Sequence, residues 1–353
     1  MKFVYVLSIY LVLCSPASFS EPLRALFINP GFNTANPTGN FWFKVSAFMD
    51  AAAEDLNIKL TTLYAERNHI YMRSLISEVQ KYQPDVLILV NEKRAGVGML
   101  KQLDVDIPVF FLLNKLAQKE KQLLSKAKQA QLIGSVVPDN DKAGAKLALS
   151  LIKKHTQLTS QPVHVFALLG DYATQAALDR SKGLYNIIQA NSDKVASFHS
   201  VVANWSRDIG YQQTRAILLR NKKVDVVWAA NDPMAFGAKS AALSLNRSLL
   251  IGGVNWDMES EDNALDISFG GHMTLGAYAL VLIKDWLVSG QKEQTTDLVV
   301  DIFRQDGTDT SQALKQLIRS NKLSKIDFTR FSYASTARLD FTPENLALAS
   351  RHK

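Results

Sequence analysis

The sequence predicts an α/β protein of two similar doubly wound parallel-sheet lobes, and three observations carry that prediction. Strand-like and helix-like runs alternate almost from end to end. The strand-like runs are near-continuously apolar rather than alternating, which is the pattern of strands covered on both faces, as in parallel sheets. The count of βα units also starts over after "PVFFLLN" (108–114), where a charged helix leads into "LIGSVVPDNDKAG" (132–144). Nine strands would make a large single sheet, so a seam between two lobes is expected there. A chain of 353 residues that is 47% hydrophobic and 21% charged can bury two such cores.

The elements follow in order. Strands are read at "LRALFIN" (23–29), "IKLTTLYA" (58–65), "DVLILVN" (85–91), "PVFFLLN" (108–114) and "LIGSVV" (132–137), then at "VHVFALLG" (163–170), "VASFHSVVA" (195–203), "VDVVWAAN" (224–231) and "LLIGGVNW" (249–256). Helical periodicity covers 42–56, 69–82, 142–154, 174–190, 207–221 and 233–245. Asp232 before Pro233 has the form of an N-cap followed by proline at the first helical position. One connection is too long for its task. Between strand one and the first helix runs "PGFNTANPTGNFW", whereas a βα turn needs only about 2–6 residues. Its surplus Asn, Thr, Phe and Trp can hydrogen-bond and stack, so residues 29–42 read as a lip built to meet a ligand.

The first twenty residues, "MKFVYVLSIYLVLCSPASFS", combine Lys2, an apolar run over 3–13 and small residues at Ser18 and Ser20. This is the form of a secretory signal peptide cleaved after Ser20, with the periplasm as destination. The apolar run is too short for a membrane anchor, which needs about 20 residues. Lipidation at Cys14 is the alternative, against which Leu13 stands where such signals want a small residue. Cys14 is the only cysteine, so a chain starting at Glu21 has no disulfide, thiolate metal site or thiol nucleophile. The formal charge of +7 includes Lys2, which leaves +6, spread along the chain in runs such as "KLAQKEKQLLSKAKQ" on a solvated helix. That distribution is expected for a basic monomer without a nucleic-acid partner.

Residues placed at the carboxyl ends of the strands share a chemistry, and open parallel sheets bind ligands at those ends. The first lobe offers Asn29, Asn36, Asn40, Phe41, Trp42, Asn91, Asn114 and Lys115. The second offers Asp171, Asp179, Arg180, Asn204, Trp205, Asn231, Asp232, Asn255, Trp256 and Asp257. An amide both donates and accepts, an aromatic ring takes an apolar C–H face, and Asp with Arg completes a fork around hydroxyls. Any one Asn or Asp is as readily a turn or cap residue, and Trp256 as readily core. Repetition at equivalent ends in both lobes points to a site for a neutral polyol or sugar.

At this point a resemblance enters. "VVWAANDPMAFGAKSAALSLN" (226–246) resembles the "NDxMAxGAxxAL" stretch of the ribose/galactose-type periplasmic binding proteins, the type I fold shared with the ligand domains of lactose-repressor-like regulators. "AAAEDLNIKLTTLYAERN", "QPDVLILVNE", "IPVFFLLN", "GSVVPDNDKAGAKLA", "RSKGL" and "GVNWD" fall in the order that family requires, over about 23–289. The resemblance implies a three-crossover hinge between the lobes near Ser135, near Gly271 and after Ser289. It divides the chain into residues 21–135 plus 272–296, residues 136–271 plus 297–335, and a tail at 336–353. It implies ligand contacts at Phe41, Trp42, Asn91, Asn114, Arg180, Trp205, Asn231, and Asn255 or Asp257, with His272 from "SFGGHM". Asn114-Lys115 replaces the Asp-Arg common in sugar binders, and "GVNWD" replaces "GFD" or "GYD", so the ligand is not assigned to a familiar pentose or hexose.

The expected function is capture of a small polar ligand, a sugar or sugar-like polyol, in the interlobe cleft and delivery to an inner-membrane ABC permease. Presentation of a sugar or furanosyl signal to a transmembrane kinase or cyclase is the alternative, since both partners read the closed form. An enzyme is not expected, because there is no GxGxxG after strand one, no GxxxxGK[ST], no GxSxG and no HExxH. Catalytic residues, cofactors and metals are accordingly expected to be none. A transcription regulator would need a DNA-binding helix pair where the signal peptide stands.

Overall fold

Two six-stranded sheets organise the chain, and a computed structural model describes them over residues 21–34, 39–220, 223–258, 263–288 and 296–350. The strands are β1 (Leu23–Asn29), β2 (Ile58–Tyr64), β3 (Val86–Leu89), β4 (Val109–Leu112), β5 (Leu132–Pro138), β6 (Val163–Leu169), β7 (Val195–Val202), β8 (Val226–Ala229), β9 (Leu250–Val254), β10 (Ile267–Gly270), β11 (Thr296–Val300) and β12 (Arg304–Gln305). The first sheet runs β11-β5-β4-β3-β1-β2 and the second β12-β10-β9-β8-β6-β7. All pairs are parallel except β10 with β12. β3, β4 and β8 are buried at every position, as their continuous apolar character requires.

The expected signal peptide and Cys14 lie outside the described residues. All nine strands expected from the sequence are present, and three more complete the sheets. The helices expected at 42–56, 142–154, 174–190, 207–221 and 233–245 appear as Phe41–Asp55, Asn140–Leu158, Gln175–Ala190, Arg207–Arg220 and Asp232–Ser244. The one expected at 69–82 is instead broken into His69–Ser74, Leu75–Glu78 and Val79–Tyr82. Ser74 and Ser77 each donate back to a carbonyl three residues earlier, at 2.8 and 2.7 Å, and so compete with the regular ladder.

Strand pairing moves the lobe boundaries expected above. β5 belongs wholly to the first sheet, so the chain crosses after Pro138 rather than near Ser135. β11 also pairs with β5 in the first sheet, although residues from 297 onward were expected in the second lobe. The chain returns at Gly271, whose φ of +112° is readily adopted by glycine, and feeds the helix Leu275–Val288 into the first lobe. It crosses a third time between Val300 and Arg304.

The end of the chain straddles this hinge. After the helix Asp309–Arg319, the turns Leu323–Lys325 and Phe328–Phe331 pack on first-lobe helices, and the Phe328 N–H donates to Asp55 at 2.7 Å. Phe341 stacks on Tyr278 of the helix Leu275–Val288 with centroids 4.2 Å apart. Glu344, opening the helix Pro343–Ala349, binds Arg304 of β12 at 2.7 Å. In the second lobe, the helices Asn140–Leu158 and Gln175–Ala190 meet backbone to backbone. A Cβ on Gly144 would stand 2.0 Å from the Arg180 carbonyl oxygen, and one on Gly183 1.9 Å from that of Asp141. This close approach holds Arg180 against the sheet's carboxyl end.

Candidate functional site

The first-lobe wall begins with Asn29 at the end of β1. Its Oδ1 accepts from the Gly31 N–H at 2.8 Å, and its Nδ2 donates to the Trp42 carbonyl at 3.2 Å and to Ser46 Oγ at 2.9 Å. Strand end, loop and first helical turn are thereby tied together, which presents Phe41 and Trp42 at the cleft, edge to face at 5.1 Å. Arg67, in the left-handed region just beyond β2, forms an ion pair with Glu92 at 3.0 Å. Asn114, following β4, reaches across the cleft, and its Oδ1 accepts from the Ala176 N–H at 3.0 Å.

The second-lobe wall centres on Arg180, which is 4% exposed. Its Nε donates to Asn140 Oδ1 at 2.9 Å, Nη1 to the Ala230 carbonyl at 2.6 Å, and Nη2 lies 3.3 Å from His272 Nε2. The guanidinium also faces the rings of Trp205 and Phe303 at 5.8 and 5.6 Å. Burial lowers its pKa to about 10, so it remains a cation at neutral pH. His272 stacks on Phe41 at 4.5 Å, and burial followed by the charges of Arg180 and Lys44 drives its pKa well below the usual value, leaving a neutral imidazole.

Trp205 lies over Gly170, where a Cβ would come within 2.4 Å of the indole. Its Nε1 donates to Asp171 at 2.8 Å. Burial alone would raise the Asp171 carboxyl, but donors from Thr174, Trp205 and Ala173 outweigh it and hold the pKa below the ordinary value. Asn231 caps the helix Asp232–Ser244: Oδ1 accepts from the Met234 N–H at 3.0 Å, and Nδ2 donates to the Trp205 carbonyl at 3.1 Å. The cap is thus Asn231, with Asp232 already the first helical residue, one position earlier than the sequence implied. Asp232 accepts from the Asp257 N–H and from Ser268 Oγ. Burial, then the charge of Asp257, pushes its carboxyl up to about 8.

These walls enclose a cavity of about 530 Å³ including its mouth. Of the expected residues, Phe41, Trp42, Asn114, Arg180, Trp205, Asn231, Asn255 and His272 line it. Asn91 does not: its amide donates to the Lys115 carbonyl and Glu120 and accepts from the Gly96 N–H, so it fastens loops behind the wall. Asp257 does not line it either, because its oxygens bind Lys44 and Asn255. Trp256 is core, with Nε1 donating to the Arg304 carbonyl at 2.9 Å. Asn36 lies outside the described residues. The cavity also takes Arg67, Glu92, Thr174 and Ala176, which the sequence reading missed. "AERN" after β2 was the available signal for Arg67, since it too is a strand end. Among the described residues no group of His, Cys, Asp or Glu could hold a metal ion, and no helix is long and apolar enough to cross a membrane.

Two α/β lobes with parallel cores, a cleft at their strand ends and a hinge of crossing strands define a type I binding protein. The periplasmic binding protein domain family matches residues 32–262, and the chain belongs to that family. It is 31% identical over 127 residues to the ribose import binding protein RbsB of Haemophilus influenzae, and that match spans 36% of this chain and about two-fifths (41%) of the relative's length. A periplasmic sugar-binding protein from Pseudomonas fluorescens superimposes with a TM-score of 0.77 at 29% identity, covering 92% of this chain and 99% of that one. The fructose-binding periplasmic domain of a hybrid two-component system shares the fold alone, with a TM-score of 0.67 at 19% identity over 86% of this chain and 97% of its own. The family's members are sugar-binding periplasmic proteins rather than enzymes.

Proposed function

We propose that the protein is exported to the periplasm, captures a small sugar or sugar-like polyol between its lobes and delivers it to an inner-membrane ABC permease. The observation that carries this reading is the cavity itself, where the rings of Phe41, Trp42 and Trp205 and the amides of Asn114, Asn231 and Asn255 converge from both lobes. Rings cover the C–H faces of a sugar while amides exchange hydrogen bonds with its hydroxyls. Ligand bridging favours the closed arrangement by its differential affinity for it, and the permease reads closure. A thermal-shift screen of sugars, polyols, nucleosides and furanosyl signals tests the reading. A ligand at 100 times its Kd stabilises by about 2.7 kcal/mol, and a screen without any such shift overturns it.

The second reading is sensory, since the same fold serves as the ligand domain of a two-component system. The closed form would then be presented to a transmembrane kinase or cyclase. Neighbouring genes separate the two: a permease with an ATPase supports transport, a transmembrane signalling protein supports sensing.

A further inference from the structure

The charged groups around the cleft are unequally matched. Glu92 is paired with Arg67 at 3.0 Å and Asp257 with Lys44 at 2.6 Å. Asp171 receives the Ala173, Thr174 and Trp205 donors and does not line the cavity. Asp179 receives Gln175 and borders a separate surface groove. Asp232 is fully buried, and burial raises its carboxyl to about 8, which weakens the charge it can set against Arg180 at neutral pH.

Arg180 stands apart from these. It lines the cavity as a buried cation, and among the described residues no carboxylate lies within ion-pair distance of it. Its partners are an amide oxygen, a carbonyl and an imidazole. A guanidinium carries five N–H donors, and three are placed, so each terminal nitrogen keeps one. Because arginine cannot accept a hydrogen bond, His272 Nε2 must be the acceptor, and the imidazole proton resides on Nδ1. That Nδ1 is buried without a partner. The cleft wall therefore holds a cation with unused donors beside a neutral imidazole, and among the described residues no carboxylate within ion-pair distance meets it.

A buried charge is costly unless an opposite charge joins it. We propose that the anion arrives with the ligand: the cleft binds a sugar acid, a polyol bearing one carboxylate, with the carboxylate on Arg180 and the hydroxyls on Asn114, Asn231 and Asn255. The planar guanidinium fork suits a carboxylate, and charge-assisted hydrogen bonds are the stronger ones. This inference rests on the sugar-binding reading above and narrows it to one chemical class.

Isothermal titration of the purified protein at pH 7 with D-ribose and D-galactose against D-ribonate, D-galactonate and D-galacturonate provides the test. At least one acid is expected to bind tenfold or more tightly than its neutral counterpart. Arg180→Met is expected to cancel that margin and Arg180→Lys, which keeps the charge but not the planar fork, to narrow it severalfold. Should Arg180→Met fail to fold, Arg180→Lys decides in its place. A neutral sugar binding as well as its acid, or a margin unchanged by Arg180→Lys, overturns the inference and leaves the sugar-binding reading standing. Silence from all five compounds also overturns the inference, while the sugar-binding reading stands or falls on the broader thermal-shift screen.

Discussion

Lys44 of the first lobe donates to Asp257 of the second at 2.6 Å, and the two side chains keep only 9% and 10% of their surface exposed. The same ammonium reaches the Trp256 carbonyl at 3.3 Å. Closure thus has a fastening made by the protein itself, at a carboxylate that the family resemblance offered, as the alternative to Asn255, for the ligand. Removing one partner of a buried pair costs about 3–5 kcal/mol. Here the cost falls on the closed form, because opening returns Asp257 to water. Lys44→Met is therefore expected to leave the melting temperature little changed in the absence of ligand while weakening ligand binding at least tenfold. Small-angle scattering at ligand concentrations that compact the wild type should show the variant still extended, and equal compaction would show that the pair holds nothing shut.

Trp205 offers a second handle. Loss of one large ring from a cleft costs about 1–3 kcal/mol of binding, so Trp205→Ala should weaken affinity ten- to a hundredfold by calorimetry. Trp205→Phe keeps a stacking face but loses the donor to Asp171. It should bind nearly as well, while the Asp171 carboxyl, followed by NMR titration, moves upward.

Asn231 combines a structural and a ligand-facing role, which two substitutions separate. Asn231→Asp retains an acceptor for the Met234 N–H, so the cap and the melting temperature should survive while ligand affinity falls. Asn231→Leu removes the cap and should also cost about 0.5–2 kcal/mol of stability in chemical denaturation. If Asn231→Asp binds as tightly as wild type, the residue is a cap alone.

Asp232 sets a pH dependence with a definite sign. Its folded pKa of about 8 lies above the ordinary carboxylate value of 3.8, so between those limits the folded protein binds the extra proton. Stability linked to this group is then present at low pH and lost as pH rises toward 8. Denaturation midpoints from pH 5 to 9 should decline for the wild type and decline less for Asp232→Asn, which keeps an acceptor for Asp257 and Ser268. Parallel slopes would place the ionisation elsewhere.

The fold was legible where burial on both faces leaves an unbroken apolar run, as in β3, β4 and β8. β10, β11 and β12 were not, because Ser and Gly break up ISFG, Thr and Asp open TDLVV, and β12 is only Arg and Gln, so none is an unbroken apolar run. At the site, the positions were easier to read than the roles. Asn29, Asn91 and Asn231 all sit at strand ends as expected, yet the amides of the first two are fully used in holding the backbone. Sequence shows where an amide stands but not which neighbour its oxygen faces. Lys44 was invisible for a related reason: it looks like an ordinary helical lysine until the lobes are brought together.

The late return of the chain to its first lobe bears on how the protein comes to be folded at all. The helix Leu275–Val288, buried along most of its length against the helix Phe41–Asp55, and the turns ending at Phe331 are needed to cover that lobe's core. Until they emerge, an elongating chain exposes the apolar surface they will cover, and contacts so distant in sequence close slowly. Nascent chains halted before residue 275 should therefore remain protease-sensitive even in the first lobe, whereas chains halted well past Phe331 acquire resistance there. A polypeptide built this way cannot complete its first lobe until nearly all of it has been made.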